Sequence, residues 1–242
     1  MWIKAEYKLL SPVVLSISPS QSKGHKAFPI MADGALAFYS FANRNGFAPD
    51  INEVYNEELP FCKTEFNGDF FYNIGSFIFE KPYYSTTALT RKLPGMDTDI
   101  LDKLKIQSIQ ANKGVFKMLR VNDIKLINSK TKTVYFYAEI DDNRTENAIS
   151  VLQSIKAIGK RANSGFGSLE YFHASRVDDD NIEGFFIKEK DNKFLYRPIP
   201  IELLDDNDYE HAYMGHLRPP HHKNIYNKKE VVYGFRKNVH EI

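Results

Sequence analysis

Between Thr133 and Ala174 the sequence changes character in an order that few folds accommodate. Thr133 to Ile140 (TVYFYAEI) is dense in β-branched and aromatic residues and predicts a strand. After Asp141-Asp142-Asn143 comes Thr145 to Ile158, where Ile149, Leu152, Ile155 and Ile158 recur at a spacing that predicts a helix. Asn143 or Thr145 can supply its N-cap oxygen, and Gly159 a left-handed stop. The glycine-rich loop Gly159 to Gly167 (GKRANSGFG) follows directly, and Ser168 to Ala174 predicts a further strand. Strand, helix, loop and strand in this order form one β-α-β unit.

The beginning of the chain supplies a second such unit. Trp2, Lys4, Glu6 and Lys8 alternate with Ile3, Ala5, Tyr7 and Leu9, the period of a half-buried strand. Ser16 to Pro29 predicts a loop, and Ile30 to Arg44 a helix with Met31, Ala35, Phe38 and Ala42 on its core face. Two β-α-β halves predict an α+β, ferredoxin-like domain over residues 1–176. The region of about 59–130 is inserted into it. Leu59 to Glu80 predicts an aromatic hairpin turning at Asn67-Gly68-Asp69, and Lys81 to Ile109 a long surface excursion. Residues 177–242 carry Asp178-Asp179-Asp180, Asp205-Asp206 and two proline-rich stretches, and predict extended structure laid over the first part.

With 242 residues, 43% of them hydrophobic, the chain can build a sizeable core. Lys plus Arg number 32 and Asp plus Glu 31, so no global field draws the molecule to nucleic acid or an anionic membrane, and any RNA site is a local patch. The single cysteine, Cys62, excludes an intramolecular disulfide framework and a cysteine-rich zinc site and suits a reducing cytoplasm. Lys4, Glu6 and Lys8 make the start neither a signal peptide nor a membrane span.

The loop from Gly159 combines glycines with Lys160, Arg161, Asn163 and Ser164. Glycines let the main chain approach a phosphate, the cations neutralise it, and the polar side chains donate hydrogen bonds. Phe166 can stack on a base. The same residues also fit a purely structural role, with Gly159 as a cap, Gly165 and Gly167 serving the turn, and Phe166 in the core. The glycines follow a helix instead of opening one, which excludes the dinucleotide fingerprint and the Walker loop. Thr90-Arg91-Lys92, downstream of Tyr83, Tyr84 and Ser85, mixes aromatics with cations as single-stranded RNA sites do, and as ordinary solvated turns also do. His25, His211, His216, His221 and His222 are available for acid-base chemistry, but no metal motif, nucleophile elbow or carboxylate cluster accompanies them.

These segments together resemble the RAMP superfamily of CRISPR proteins, and within it the Cas-five-like subunit of type IV effectors. Ser11-Pro-Val-Val and Met31-Ala-Asp-Gly-Ala-Leu-Ala-Phe-Tyr39 look like its opening strand and first helix. Leu59-Pro60, Ile74-Gly-Ser-Phe77 and Thr90 to Lys92 look like its middle portion. Thr133 to Ala138, Ile155 to Arg161 and Gly165-Phe-Gly167 resemble its strand, helix and loop, while Arg197-Pro-Ile-Pro200 and Arg218-Pro-Pro220 look like its C-terminal signatures. His221 stands where the family commonly has an aromatic, and Gly34 and Ala35 where leucines are usual.

The resemblance implies a ferredoxin-like (RRM-like) RAMP fold and a non-catalytic, cytoplasmic subunit without metal or cofactor. It implies a cap at the 5′ handle of the guide RNA (crRNA) in a ribonucleoprotein that defends against foreign DNA. The implied partners are a backbone subunit, a large subunit, an accessory helicase and, indirectly, target DNA. The implied RNA contacts are Gly159, Lys160, Arg161, Asn163, Ser164, Gly165, Phe166 and Gly167 of the loop, Thr90, Arg91 and Lys92, and Arg218. A guide-processing ribonuclease of the same superfamily, using His25 or His221, and a protein-docking subunit are the competing readings.

Overall fold

The computed structural model describes residues 1–15, 29–92, 119–160, 162–189, 192–205, 208, 211–219 and 230–235. The alternating start of the chain becomes β1 (Trp2–Leu9), followed by β2 (Val13–Val14). α1 (Ala32–Asn45) ends on Gly46, whose φ of 76° turns the chain left-handed and returns its N–H to the Ala42 carbonyl. α2 (Ile51–Asn56) opens on a capping box, in which the Asp50 carboxylate accepts from the Asn52 and Glu53 amides. β3 (Lys63–Phe66) and β4 (Asp69–Tyr72) form the expected hairpin, turning through Asn67 and Gly68 at φ 50° and 77°. β5 (Ile78–Phe79), β6 (Pro82–Lys92), β7 (Leu119–Ser129), β8 (Thr133–Glu139), α3 (Thr145–Ser154) and β9 (Leu169–Arg176) follow. β10 (Ile182–Glu183), β11 (Phe186–Glu189), β12 (Asn192–Leu195), β13 (Ile199–Pro200), β14 (His211–His216) and β15 (Glu230–Phe235) complete the chain.

The result is an α+β architecture whose strand pairs are antiparallel. Its central sheet has the order β5-β8-β1-β9. One face carries the odd residues of β1 (Ile3, Ala5, Tyr7, Leu9) and the even residues of β8 (Val134, Phe136, Ala138), packed with Leu36 of α1 and Leu152 of α3. The two helices therefore share a face. On the other face Trp2, Tyr135 and Tyr137 are covered by Phe186, Ile187, Phe194, Leu195 and Tyr196 of the C-terminal region. Burying each such side chain contributes roughly 1.5–3 kcal/mol, so this second core is a substantial part of the fold. Burial, reinforced by the Glu189 carboxylate, pushes the Tyr135 and Tyr137 hydroxyls well above the usual tyrosine range, and Tyr135 donates to Glu189 at 3.1 Å. Among the described residues no helix is long and apolar enough to cross a membrane.

Several local expectations are corrected. The second helix stops at Ser154, and Ile155 to Ile158 is extended, with the Ile158 amide donating to the Gly167 carbonyl and the Leu169 amide to the Lys156 carbonyl. Ile155 and Ile158 are buried from that extended segment, which satisfies their apolar side chains without another helical turn. Gly159 is left-handed but is not the helix stop. The helix start is also different: neither Asn143 nor Thr145 caps it, and the Thr145 hydroxyl instead donates to the Asp142 carbonyl. On α1 the buried positions are Ala32, Asp33, Leu36, Ala37 and Ser40; of the expected face, half-buried Ala35 does pack on the core, while Met31, Phe38 and Ala42 are only half-buried. Within the expected surface excursion, Pro82 to Lys92 forms a strand whose residues 83–86 are exposed; residues 93–109 of that stretch, and 16–28 of the expected first loop, lie outside the described residues.

Candidate nucleic-acid interface

The glycine-rich loop is built against a rail formed by Ser11 to Val14. The Lys160 amide donates to the Val14 carbonyl at 3.2 Å and the Gly167 amide to the Pro12 carbonyl at 2.8 Å. Ala162 to Ser164 forms one turn of tight helix, closed by the Gly165 amide donating to the Ala162 carbonyl. The Ser11 hydroxyl donates to the Gly165 carbonyl at 2.7 Å and accepts from the Ser168 amide at 2.9 Å. The loop is thereby fixed at its ends and at its crest.

Its three glycines have different reasons to be glycine. All have positive φ, but a Cβ on Gly167 would stand 2.0 Å from the Ile158 carbonyl oxygen, and one on Gly159 would stand 2.4 Å from Val13 Cγ1. Those two are required by the protein's own backbone and packing. A Cβ on Gly165 would meet nothing within 4 Å. Gly165 is exposed, so of the three it is the one with open space in front of it.

Lys160 is exposed, and among the described residues it forms no ion pair. Ser164 is exposed as well; Asn163 lies in the tight turn, and Arg161 lies outside the described residues. Phe166 is half-buried against Val14, Ile124 and Leu126, so its ring packs on the fold.

That contact joins the loop to the β6–β7 hairpin. β2 pairs with β7 at Val14 and Leu126, β7 pairs with β6, and Lys160 bridges to Val14 on the far side of β2. The hairpin's Tyr83 and Tyr84 are 42% and 51% exposed although successive residues point to opposite faces, so both sides of the arm meet solvent there. Thr90, Arg91 and Lys92 pair with Val121, Arg120 and Leu119, six residues along β7 from the loop's attachment at Leu126. This puts them roughly 20 Å away at about 3.3 Å per residue. The structure therefore brings the loop and the arm together at the arm's base but leaves those three residues at its far end.

Arg218 belongs to a different part of the molecule. Its guanidinium lies 3.9 Å from the Tyr55 ring centroid and 4.7 Å from that of Phe70, and it pairs with Asp69 at 3.0 Å. Next to it, Pro219 packs beside Gly34 of α1. Arg197, from the other C-terminal signature, is fully buried, stands 3.5 Å from Asp33 of α1 and donates to the Tyr72 carbonyl. Both arginines hold the C-terminal region to the core, and these contacts run to α1, α2 and β4.

Sequence reasoning missed Ser11 as the loop's clamp, because nothing in Ser11-Pro12 announces a contact to residues some 150 positions later. It also missed His173, whose Nε2 lies 3.0 Å from Glu6 across the β1–β9 pair, and its neighbour Phe172, which is 72% exposed. His25, His221 and His222 lie outside the described residues. Among the described residues no group of three or more His, Cys, Asp and Glu could hold a metal ion. A scan of protein-family models finds no match for the chain, and a search of curated proteins finds none either.

Proposed function

We propose that this chain is a non-catalytic, guide-RNA-binding subunit of the RAMP type, capping the 5′ handle in a type IV CRISPR ribonucleoprotein of the cytoplasm. The observation that carries the reading is the glycine-rich loop beside the β6–β7 strand pair, with exposed Lys160 on the loop and exposed Tyr83 and Tyr84 on β6. Cations and exposed aromatics at one junction suit a short single-stranded segment, gripped by phosphate contact and stacking. The sheet order β5-β8-β1-β9, with α1 and α3 on one face, supports the ferredoxin-like assignment, since two β-α-β halves interleave to give it. Its other face carries Tyr135 and Tyr137, aromatics that could stack bases, but these are covered by the chain's own C-terminal region. RNA is thereby directed to the loop and arm. Backbone subunit, large subunit, helicase and target DNA enter this proposal as partners of the assembled complex.

The test is binding of the purified chain to a labelled guide-RNA 5′ handle in EDTA, with the same samples run on a denaturing gel. Binding without cleavage is expected. Changing Lys160 and Arg161 together to alanine should weaken binding and flatten its dependence on salt; unchanged affinity and salt slope would sink the assignment.

A second reading, a metal-independent endoribonuclease, is favoured by one feature. Glu6 holds the half-exposed His173 ring from one nitrogen, as a carboxylate orients a general base. Cleavage in EDTA that leaves a cyclic phosphate and vanishes in His173→Ala would promote it.

A further inference from the structure

We infer that Ser11 is a positioning residue for phosphate binding at the glycine-rich loop, holding the crest at Gly165 in its binding geometry. The inference rests on the loop being an RNA contact, as proposed above. It names which part of the loop meets the ligand and what keeps that part competent.

Of the three glycines, only Gly165 has open space where a side chain would stand, so a phosphate approaching closely does so there. Exposed Lys160 lies at the start of the same loop and is a cation that can neutralise that phosphate. The Gly165 carbonyl is the group that would oppose binding, because its oxygen carries partial negative charge and would repel a phosphate oxygen if it swung outward. Ser11 removes that obstacle. Its one proton is donated to the Gly165 carbonyl at 2.7 Å, and one of its lone pairs accepts the Ser168 amide at 2.9 Å. A hydroxyl held by one bond to the loop and one to Ser168 just beyond it has a fixed direction, so it pins the crest with the Gly165 carbonyl turned toward Ser11. Of the other ties, those from Lys160 to Val14 and from Gly167 to Pro12 hold the ends of the loop, the Gly165 amide closes the tight turn on the Ala162 carbonyl and Phe166 packs on Val14, Ile124 and Leu126; none of these contacts is made by the Gly165 carbonyl oxygen.

The experiment compares the full-length chain with Ser11→Ala, Ser11→Thr and Lys160→Ala, reading affinity for a labelled guide-RNA 5′ handle and the thermal midpoint of each protein. Ser11→Ala should bind about five- to tenfold more weakly, the size of one or two lost hydrogen bonds, with a midpoint close to that of the parent. Ser11→Thr, which keeps the hydroxyl, should restore affinity. Parental affinity in Ser11→Ala alongside weakened Lys160→Ala overturns this inference and leaves the RNA reading standing. Weakening in Ser11→Ala that threonine does not restore, with a clearly lowered midpoint, also overturns it, since Ser11 would then only stabilise the fold. If neither alanine variant differs from the parent, the RNA reading itself fails.

Discussion

Arg197 and Lys160 are both cations in short motifs marked by proline or glycine, yet the molecule treats them in opposite ways. Arg197 is fully buried, paired with Asp33 and bonded to the Tyr72 carbonyl. Lys160 stands in solvent at the edge of a turn built almost wholly from main-chain bonds. A buried charge must find its counter-charge inside the protein, so Arg197 is committed to architecture. An exposed one costs little to leave unpaired and is available to an outside anion. What separates the two roles is burial, not residue type.

The strongest way to break the architectural side of this contrast is Arg197→Ala. It removes the Arg197 counter-charge from the buried Asp33 carboxylate and should cost about 3–5 kcal/mol, measured by urea unfolding. A loss below about 1 kcal/mol would mean that the pair is not an anchor. The same contrast exists within the loop. Gly167→Ala should cost about 2–4 kcal/mol, because its new methyl collides with the Ile158 carbonyl, whereas Gly165→Ala meets no neighbour and should cost about 1 kcal/mol through its backbone angle alone. Equal losses at the two glycines would erase the distinction drawn between them. The smallest effect is expected from Arg218→Ala, about 1 kcal/mol from the lost ring contacts and ion pair, with handle affinity unchanged. A drop in affinity there would return Arg218 to the RNA site.

The strands and turns that depend on local pattern were legible. Trp2 to Leu9 alternates because one face of β1 is covered by helices and the other by mixed polar and aromatic contacts, and Asn67-Gly68 supplies the left-handed pair that a two-residue hairpin needs. The face of α1 was not legible, because its buried stripe includes two polar residues. Asp33 is there for Arg197, and Ser40 donates to the buried Glu57 at 2.6 Å. A hydrophobicity pattern shifts off such a stripe. β6 escaped notice for the converse reason: with Tyr83 and Tyr84 both exposed it has no alternation to read, and its partner β7 lies beyond residues 93–118. In the candidate site, residue types could suggest a loop with phosphate-binding chemistry. They could not say that Gly159 and Gly167 are required by the fold while Gly165 faces open space, since that depends on where Val13 and Ile158 come to rest.

The position of β1 sets the order in which the molecule can be made. β1 is an inner strand of the central sheet, and its two neighbours, β8 and β9, begin only at Thr133 and Leu169. Until those arrive, both edges of β1 offer unpaired amides and carbonyls. The sheet therefore closes only once Leu169 to Arg176 has been made. A polypeptide that stops before Leu169 lacks β9 and leaves one edge of β1 unpaired, the kind of species that chaperones hold and proteases clear.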